Sequence, residues 1–228
     1  MAIRLVSYTQ PTEEFKAEGL ENVQDLIAFC AKVSNPAAQI NKETSERLIK
    51  YLIKHQHWSP LEMANAVLEI DTTRDIAHQI VRHRSFAFQE FSQRYADPAE
   101  QGDIFEYSEA RLQDTKNRQN SIDIDLNNAE DRNLMLQWER RQQMVIDTAK
   151  SAYTWAVDHG LAKEQARAVL PEGNTVSRMY MNGTLRSWIH FCELRSGNGT
   201  QKEHMEVARA CAKAIADIFP MADEFVEK

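Results

Sequence analysis

The chain is poor in the residues that several protein classes depend on. It has only three cysteines, Cys30, Cys192 and Cys211, odd in number and far apart, which supports neither a disulfide framework nor a Cys-x-x-Cys metal or redox pair. They are expected to be reduced, buried thiols behaving as small apolar residues. Glycine occurs seven times in 228 residues, and the single Gly-x-Gly, Gly197-Asn198-Gly199, lacks a third Gly and follows a predicted helix, so a dinucleotide-binding fingerprint is absent. No run of about 18 apolar residues could span a bilayer, and Met1-Ala2-Ile3-Arg4-Leu5 lacks the basic and apolar regions of a secretion signal. The protein is therefore expected to be soluble, cytoplasmic and free of membrane partners. Nor is there a broad excess of basic residues. The net charge of −7 argues against a protein that coats nucleic acid, so any anion site must be local.

Length and a hydrophobic content of 43% are enough for one sizeable core, and a single domain spanning 1–228 is expected. Ile3 to Tyr8 reads as a strand, Leu20 to Val33 as a helix and Thr44 to His55 as a second helix. Ser59-Pro60-Leu61-Glu62 has a helix-start signature but room only for a short turn. A strand is expected over Ala64 to Ile70, and a helix from Thr73 to about His83. Residues 97–133 turn polar and irregular around a possible short strand at Phe105 to Tyr107, the pattern of a surface insertion. Leu134 to His159 is the longest helical candidate, with Leu134, Trp138, Val145, Ala149, Ala152 and Ala156 on one side. A short helix over Ala162 to Val169 stops at Pro171, Thr175 to Met181 reads as a strand, and helices over Leu185 to Leu194 and Gln201 to Phe219 close the chain. The fold class is α/β or α+β, a mixed sheet flanked by helices.

The chemistry concentrates in Arg74 to Tyr95, which places four arginines and two histidines in 22 residues of an acidic chain. Gln79, Arg82 and His83 lie three and four residues apart and would share a helix face, with Arg84 at its end. Two arginine charges about 4 Å apart repel by about 1 kcal/mol in water and about 4 kcal/mol at a surface-like dielectric. Glu90 can offset only part of that. Hydrogen bonds to charged groups contribute about 1.5 to 3 kcal/mol each, and Arg grips phosphate in a bidentate way, so the segment reads as a site for an anionic ligand. The competing reading is an exposed helix face with ordinary ion pairs. Phe86, Phe88, Phe91 and Tyr95 interleave with the polar set, as a wall for a planar ring requires, although core packing would also place them.

Arg82-His83-Arg84, seven residues, then Ser92, followed by Gln93-Arg94-Tyr95, resembles the Arg-His-Arg-x7-Ser signature of the flavin-dependent thymidylate synthases. Ala31-Lys32-Val33-Ser34, His57-Trp58-Ser59-Pro60-Leu61-Glu62, Ala166-Arg167 through Leu170-Pro171, and Leu185-Arg186-Ser187 through Leu194-Arg195 are similar to further elements of that family in the same order. The resemblance covers roughly residues 30 to 96 and 165 to 210 and leaves out the insertion. It implies a homotetramer with shared sites, FAD as cofactor, and dUMP, methylenetetrahydrofolate and NADPH as substrates. By the same resemblance dUMP would be held by Gln79, Arg82, Glu90, Ser92, Arg94 and Arg195, with Arg167 from a neighbouring subunit, and Arg195 would orient and polarise the uracil. FAD would be held by Ser34, His57, Ser59, Arg82, His83, Arg84, Gln89, Glu90, Arg186 and His190. Gln89 and His190 stand where many members have Asn, and Gly199 where some have His. Flavin-independent thymidylate synthases need a catalytic Cys, and none of the three here has an adjacent activating motif.

No metal is expected, because the His55-x-His57 pair lacks accompanying ligands at metal spacing. His78 and His204 read as structural or surface histidines, and Trp138 and Trp188 as core or interface residues. The main rival is a non-catalytic nucleotide- or RNA-binding regulator using the arginine cluster. A nucleotide hydrolase would need a metal-binding carboxylate cluster that the sequence does not offer.

Overall fold

The computed structural model describes residues 2–96 and 104–226, and its centre follows from two strands with strict alternation. In β2 (Asn65–Thr73) Ala66, Leu68, Ile70 and Thr72 point one way and are buried, and in β6 (Val176–Thr184) Ser177, Met179, Met181 and Gly183 do the same. Such period-two burial is the mark of a sheet with one covered face. β1 (Ala2–Tyr8) pairs with β2 and β3 (Ala87–Glu90) with β6, giving the order β1-β2-β6-β3. Every pair is antiparallel, so the expected α+β class stands while the sheet is antiparallel rather than mixed. A register shift between Leu5 and Ser7 lets β1 bend at the edge.

Helices pack against the apolar face. α4 (Arg74–Ile80), α7 (Leu185–Arg195) and α8 (Lys202–Ala216) lie on the sheet, and α2 (Val23–Ala31) with α3 (Ser45–Lys54) extends the same core through the Ser59–Met63 turn. Trp188 and Phe191 of α7 are buried beside Phe86, and Trp188 Nε1 donates to the Ala66 carbonyl at 3.1 Å. Gly183 faces Phe86 so closely that a Cβ there would sit 2.3 Å from the ring. Ala208, Cys211, Ala212, Ile215 and Phe219 form the expected buried stripe at the end of the chain. The opposite sheet face is polar, with Glu69 accepting from Arg4 Nε at 2.8 Å and from the Tyr180 hydroxyl at 2.9 Å.

Two expectations change in the 97–133 region, of which 97–103 lie outside the described residues. The polar stretch holds a small hairpin, β4 (Arg111–Gln113) with β5 (Ser121–Asp123), and Phe105 makes a single bridge to Thr175. α5 (Ala129–Asp158) begins at the side-chain cap of Asn128, earlier than apolar periodicity indicated. Its buried stripe is Gln142, Ile146, Ala149, Tyr153 and Ala156, at steps of four and three. Leu134, Trp138 and Val145 are instead exposed at 47%, 41% and 50%. α1 (Glu13–Ala17) and α6 (Lys163–Ala166) are short.

Candidate active site

α4 stops at Ile80, sooner than spacing alone predicts, because the chain must turn to enter β3 beside β6. Val81 N donates to the Ala77 carbonyl and His83 N to the Ile80 carbonyl, a tightened turn that leaves Arg82, His83 and Arg84 on a loop. The shared helix face of Gln79, Arg82 and His83 does not exist. The loop still brings His83 against α7, where Arg195 Nε donates to His83 Nε2 at 2.9 Å and the His83 ring meets the edge of Phe191 at 5.0 Å.

That hydrogen bond defines the histidine. Burial, then the neighbouring Arg195, His190 and Arg82, push the His83 pKa down to about 4, so the ring is neutral at neutral pH. Its Nε2 accepts, which places the ring proton on Nδ1. Burial and the Arg82 charge also lower the Arg195 guanidinium, which nonetheless stays cationic. Anchored through Nε, Arg195 keeps its terminal N–H groups for another acceptor.

The charges around this point do not cancel. Arg74 pairs with Glu90 at 3.3 Å and Arg94 with Glu164 at 3.1 Å, whereas no ion pair reaches Arg82, Arg84, Arg186 or Arg195 among the described residues. Glu90 Oε1 is thereby engaged by Arg74 and by the Ser177 hydroxyl, which donates to it at 2.7 Å. Glu90 and Arg195 sit on the two sides of the Arg-His-Arg loop, one on β3 and one at the end of α7. The expected binding residues thus fall into groups: Gln79, Arg82, His83, His190 and Arg195 cluster, Glu90 lies with Arg74, and Arg94 sits over Glu164, whose carbonyl also accepts from Arg167 Nε at 3.4 Å. His57, Ser59 and Ser34 are exposed on the chain segments that follow α3 and α2, and no hydrogen bond or ion pair joins them to the arginines among the described residues. Ser92 is half-buried after β3, and Gln89 is exposed on it.

The aromatics divide. Phe86 and Phe88 pack on the core, Phe86 lying 4.8 Å from Trp188, while Tyr95 is 75% exposed beneath the Arg94 guanidinium. Of the histidines set aside from the sequence, His78 does form a surface pair with Glu172 at 2.7 Å, but His204 is wholly buried against Gln79 and His83. Its place in the site had one sequence signal, the preceding Gln201 and Glu203, whose polar character opens α8. Burial raises the thiols of Cys30, Cys192 and Cys211, that of Cys192 to about 12, so none is a thiolate near neutral pH. Among the described residues no group of three or more His, Cys, Asp or Glu is arranged to hold a metal ion, and no helix is long and apolar enough to cross a membrane.

An antiparallel sheet with one helical face and an arginine-bearing loop leading into its edge strand defines an α+β protein. Residues 17–221 match the family described as thymidylate synthase complementing protein, and the chain belongs to that family. It is 45% identical to a probable flavin-dependent thymidylate synthase of Paramecium bursaria Chlorella virus 1 over 96% of each chain, and 44% identical to a flavin-dependent thymidylate synthase of Synechocystis sp. with the same coverage. The fold is similar to that of a UMP/dUMP methylase from Streptomyces cacaoi solved with 5-Br dUMP, at a TM-score of 0.76 and 22% identity over 98% of this chain and 93% of that one.

Proposed function

We infer that this chain is a flavin-dependent thymidylate synthase that methylates dUMP to dTMP, with methylenetetrahydrofolate as one-carbon donor and NADPH as reductant. The observation that carries the reading is the pair of arginines, Arg82 and Arg195, brought together around His83 without a carboxylate ion pair among the described residues of an acidic chain, with Arg84 next along the same loop. Guanidinium groups held together this way are stabilised by phosphate oxygens, and both a dinucleotide cofactor and a nucleotide substrate bring them. FAD fits this donor set, and when bound it supplies the hydride. Arg82, His83, Arg84, Arg186 and His190 would hold it, with Ser34, His57, Ser59, Gln89 and Glu90 completing the grip.

The chain's own groups account for the nucleotide. Arg94 and Arg167 meet the phosphate, Gln79, Arg82, Glu90 and Ser92 hold the rest, and Arg195 directs its free N–H groups at the uracil as negative charge develops there. Neutral His83 fixes the Arg195 plane by accepting from Nε and adds no second cation. The protonated thiols leave no candidate for a cysteine nucleophile among the described residues. Residues 1–228 act as one catalytic domain in the cytoplasm, and a homotetramer is supported by α5, where Met144, Trp155 and Val145 are exposed at 66%, 57% and 50%. Purified protein loaded with FAD and given dUMP, methylenetetrahydrofolate and NADPH should form dTMP, with omission of any of these three substrates stopping it. Binding of nucleotide with no dTMP formed under those conditions would favour a regulatory nucleotide-binding protein instead.

A further inference from the structure

α8 opens one residue after Gln201 and carries His204 in its first turn, buried completely. Gln79 donates from Nε2 to Gln201 Oε1 at 2.7 Å, and Gln79 Oε1 lies 3.3 Å from His204 Nδ1. His204 Nε2 has no hydrogen-bond partner among the described residues, its ring lying against Phe191 at 5.7 Å and His83 at 6.3 Å. Nearby stands Glu203, whose carboxyl burial pushes up, while the Arg111 hydrogen bond of 2.5 Å, the Glu203 backbone and the Arg111 charge together outweigh burial and hold it below the ordinary carboxylate value. Its Oε2 has no hydrogen-bond partner among the described residues.

These contacts have a direction. Gln201 turns its Oε1 toward Gln79, and an amide oxygen only accepts. Gln79 must then present its own NH2 to Gln201 and its Oε1 to His204. Burial, followed by the Arg195 and His83 environment, depresses the His204 pKa to about 4 and keeps the ring neutral, with one N–H and one lone pair. A proton on Nε2 would be a buried donor with nothing to bond and would set two lone pairs against each other at Nδ1. A proton on Nδ1 satisfies Gln79 and leaves unfilled only an acceptor, the less costly orphan.

We propose that His204 is a positioning residue: with Gln201 it forms a one-way hydrogen-bond relay that locks the amide of Gln79 for the nucleotide. The nucleotide half of this rests on the functional reading above. Locked this way, Gln79 keeps one N–H and one oxygen lone pair free, in fixed positions, to meet a ligand. Without the lock its two ends interchange, and half of its orientations present the wrong group.

The test uses FAD-loaded protein in three forms, wild type, His204→Leu and His204→Asn, since the Asn amide can reproduce the Nδ1 donor. Leu is expected to raise the dUMP Kd and KM about five- to tenfold, the value of one net hydrogen bond, with a smaller drop in kcat and unchanged flavin content. Asn should recover most of that loss. Nitrogen-15 NMR of the wild-type imidazoles should show His204 as the Nδ1–H tautomer, a readout that packing alone would not fix. An Nε2–H tautomer, or a folded Leu variant binding dUMP within twofold of wild type, overturns the proposal. If Leu fails to fold, the Asn variant and the tautomer decide. A wild-type protein that binds no dUMP sinks the functional reading alone, and the tautomer still decides the relay.

Discussion

Replacing Arg195 by Ala removes a guanidinium at the end of α7 whose Nε donates to His83 Nε2 at 2.9 Å. Two consequences can be sized. A donor aimed at charge that develops only during reaction is worth about 10² to 10³ in kcat. Loss of ground-state hydrogen bonding to a charged group adds about 1.5 to 3 kcal/mol to the binding term. The fold should tolerate the change, because His83 loses a donor but keeps a neutral ring, and Arg82 loses a repelling neighbour. The expected variant is folded, binds FAD as wild type does, and forms dTMP at least about a hundredfold more slowly. Arg195→Lys should recover no more than about tenfold, since an ammonium cannot bond His83 and a uracil oxygen with the same planar fork. Steady-state dTMP formation measured beside flavin absorbance separates these. An Ala variant turning over within about threefold of wild type would refute the role assigned to Arg195.

Further outcomes follow from other parts of the molecule. Replacing Cys30, Cys192 and Cys211 together by Ala should lower the melting temperature but leave dTMP formation measurable, and an inactive yet folded triple variant would restore a thiol mechanism. Arg94→Gln should raise the KM for dUMP about tenfold or more through the lost phosphate contact, whereas Glu164→Gln should shift the melting temperature little because the pair is half-exposed, at 51% and 46%. His204 and His83 have folded pKa values near 4 against an ordinary 6.5, so the unfolded chain takes up protons first on acidification. Their contribution is full above pH 6.5 and is lost as pH falls toward 4, with an upper bound of about 3 kcal/mol for the buried His204. Melting curves from pH 7 to 4.5 should therefore fall less steeply for His204→Leu than for wild type, and parallel curves would contradict the assignment.

How far these elements could be read beforehand depended on the range of the forces that set them. α3, α8 and the core of β2 carry their own periodicity, and their positions agree with it to within a few residues. β3 has only four residues and forms because β6 offers an edge, so Ala87 to Glu90 gave no local signal. The same pairing ends α4 at Ile80 and moves Arg82 and His83 off the helix, overriding a spacing that fitted a helical face. Trp138 and Val145 matched a helical stripe but are exposed in one chain, because the stripe that packs is offset to Gln142, Ile146 and Ala149. The ordered arginine motif was legible as a local excess of charge. Which arginines lack a partner was not, since Arg74 takes Glu90 only after the sheet has formed.

The visible absorption spectrum of the purified protein, recorded before and after dUMP is added, tests the central claim most directly. Guanidinium groups assembled to hold flavin and uridylate together predict a bound flavin band near about 450 nm that shifts when dUMP enters. A protein that is colourless, takes up no added FAD and shows no response to dUMP would contradict it.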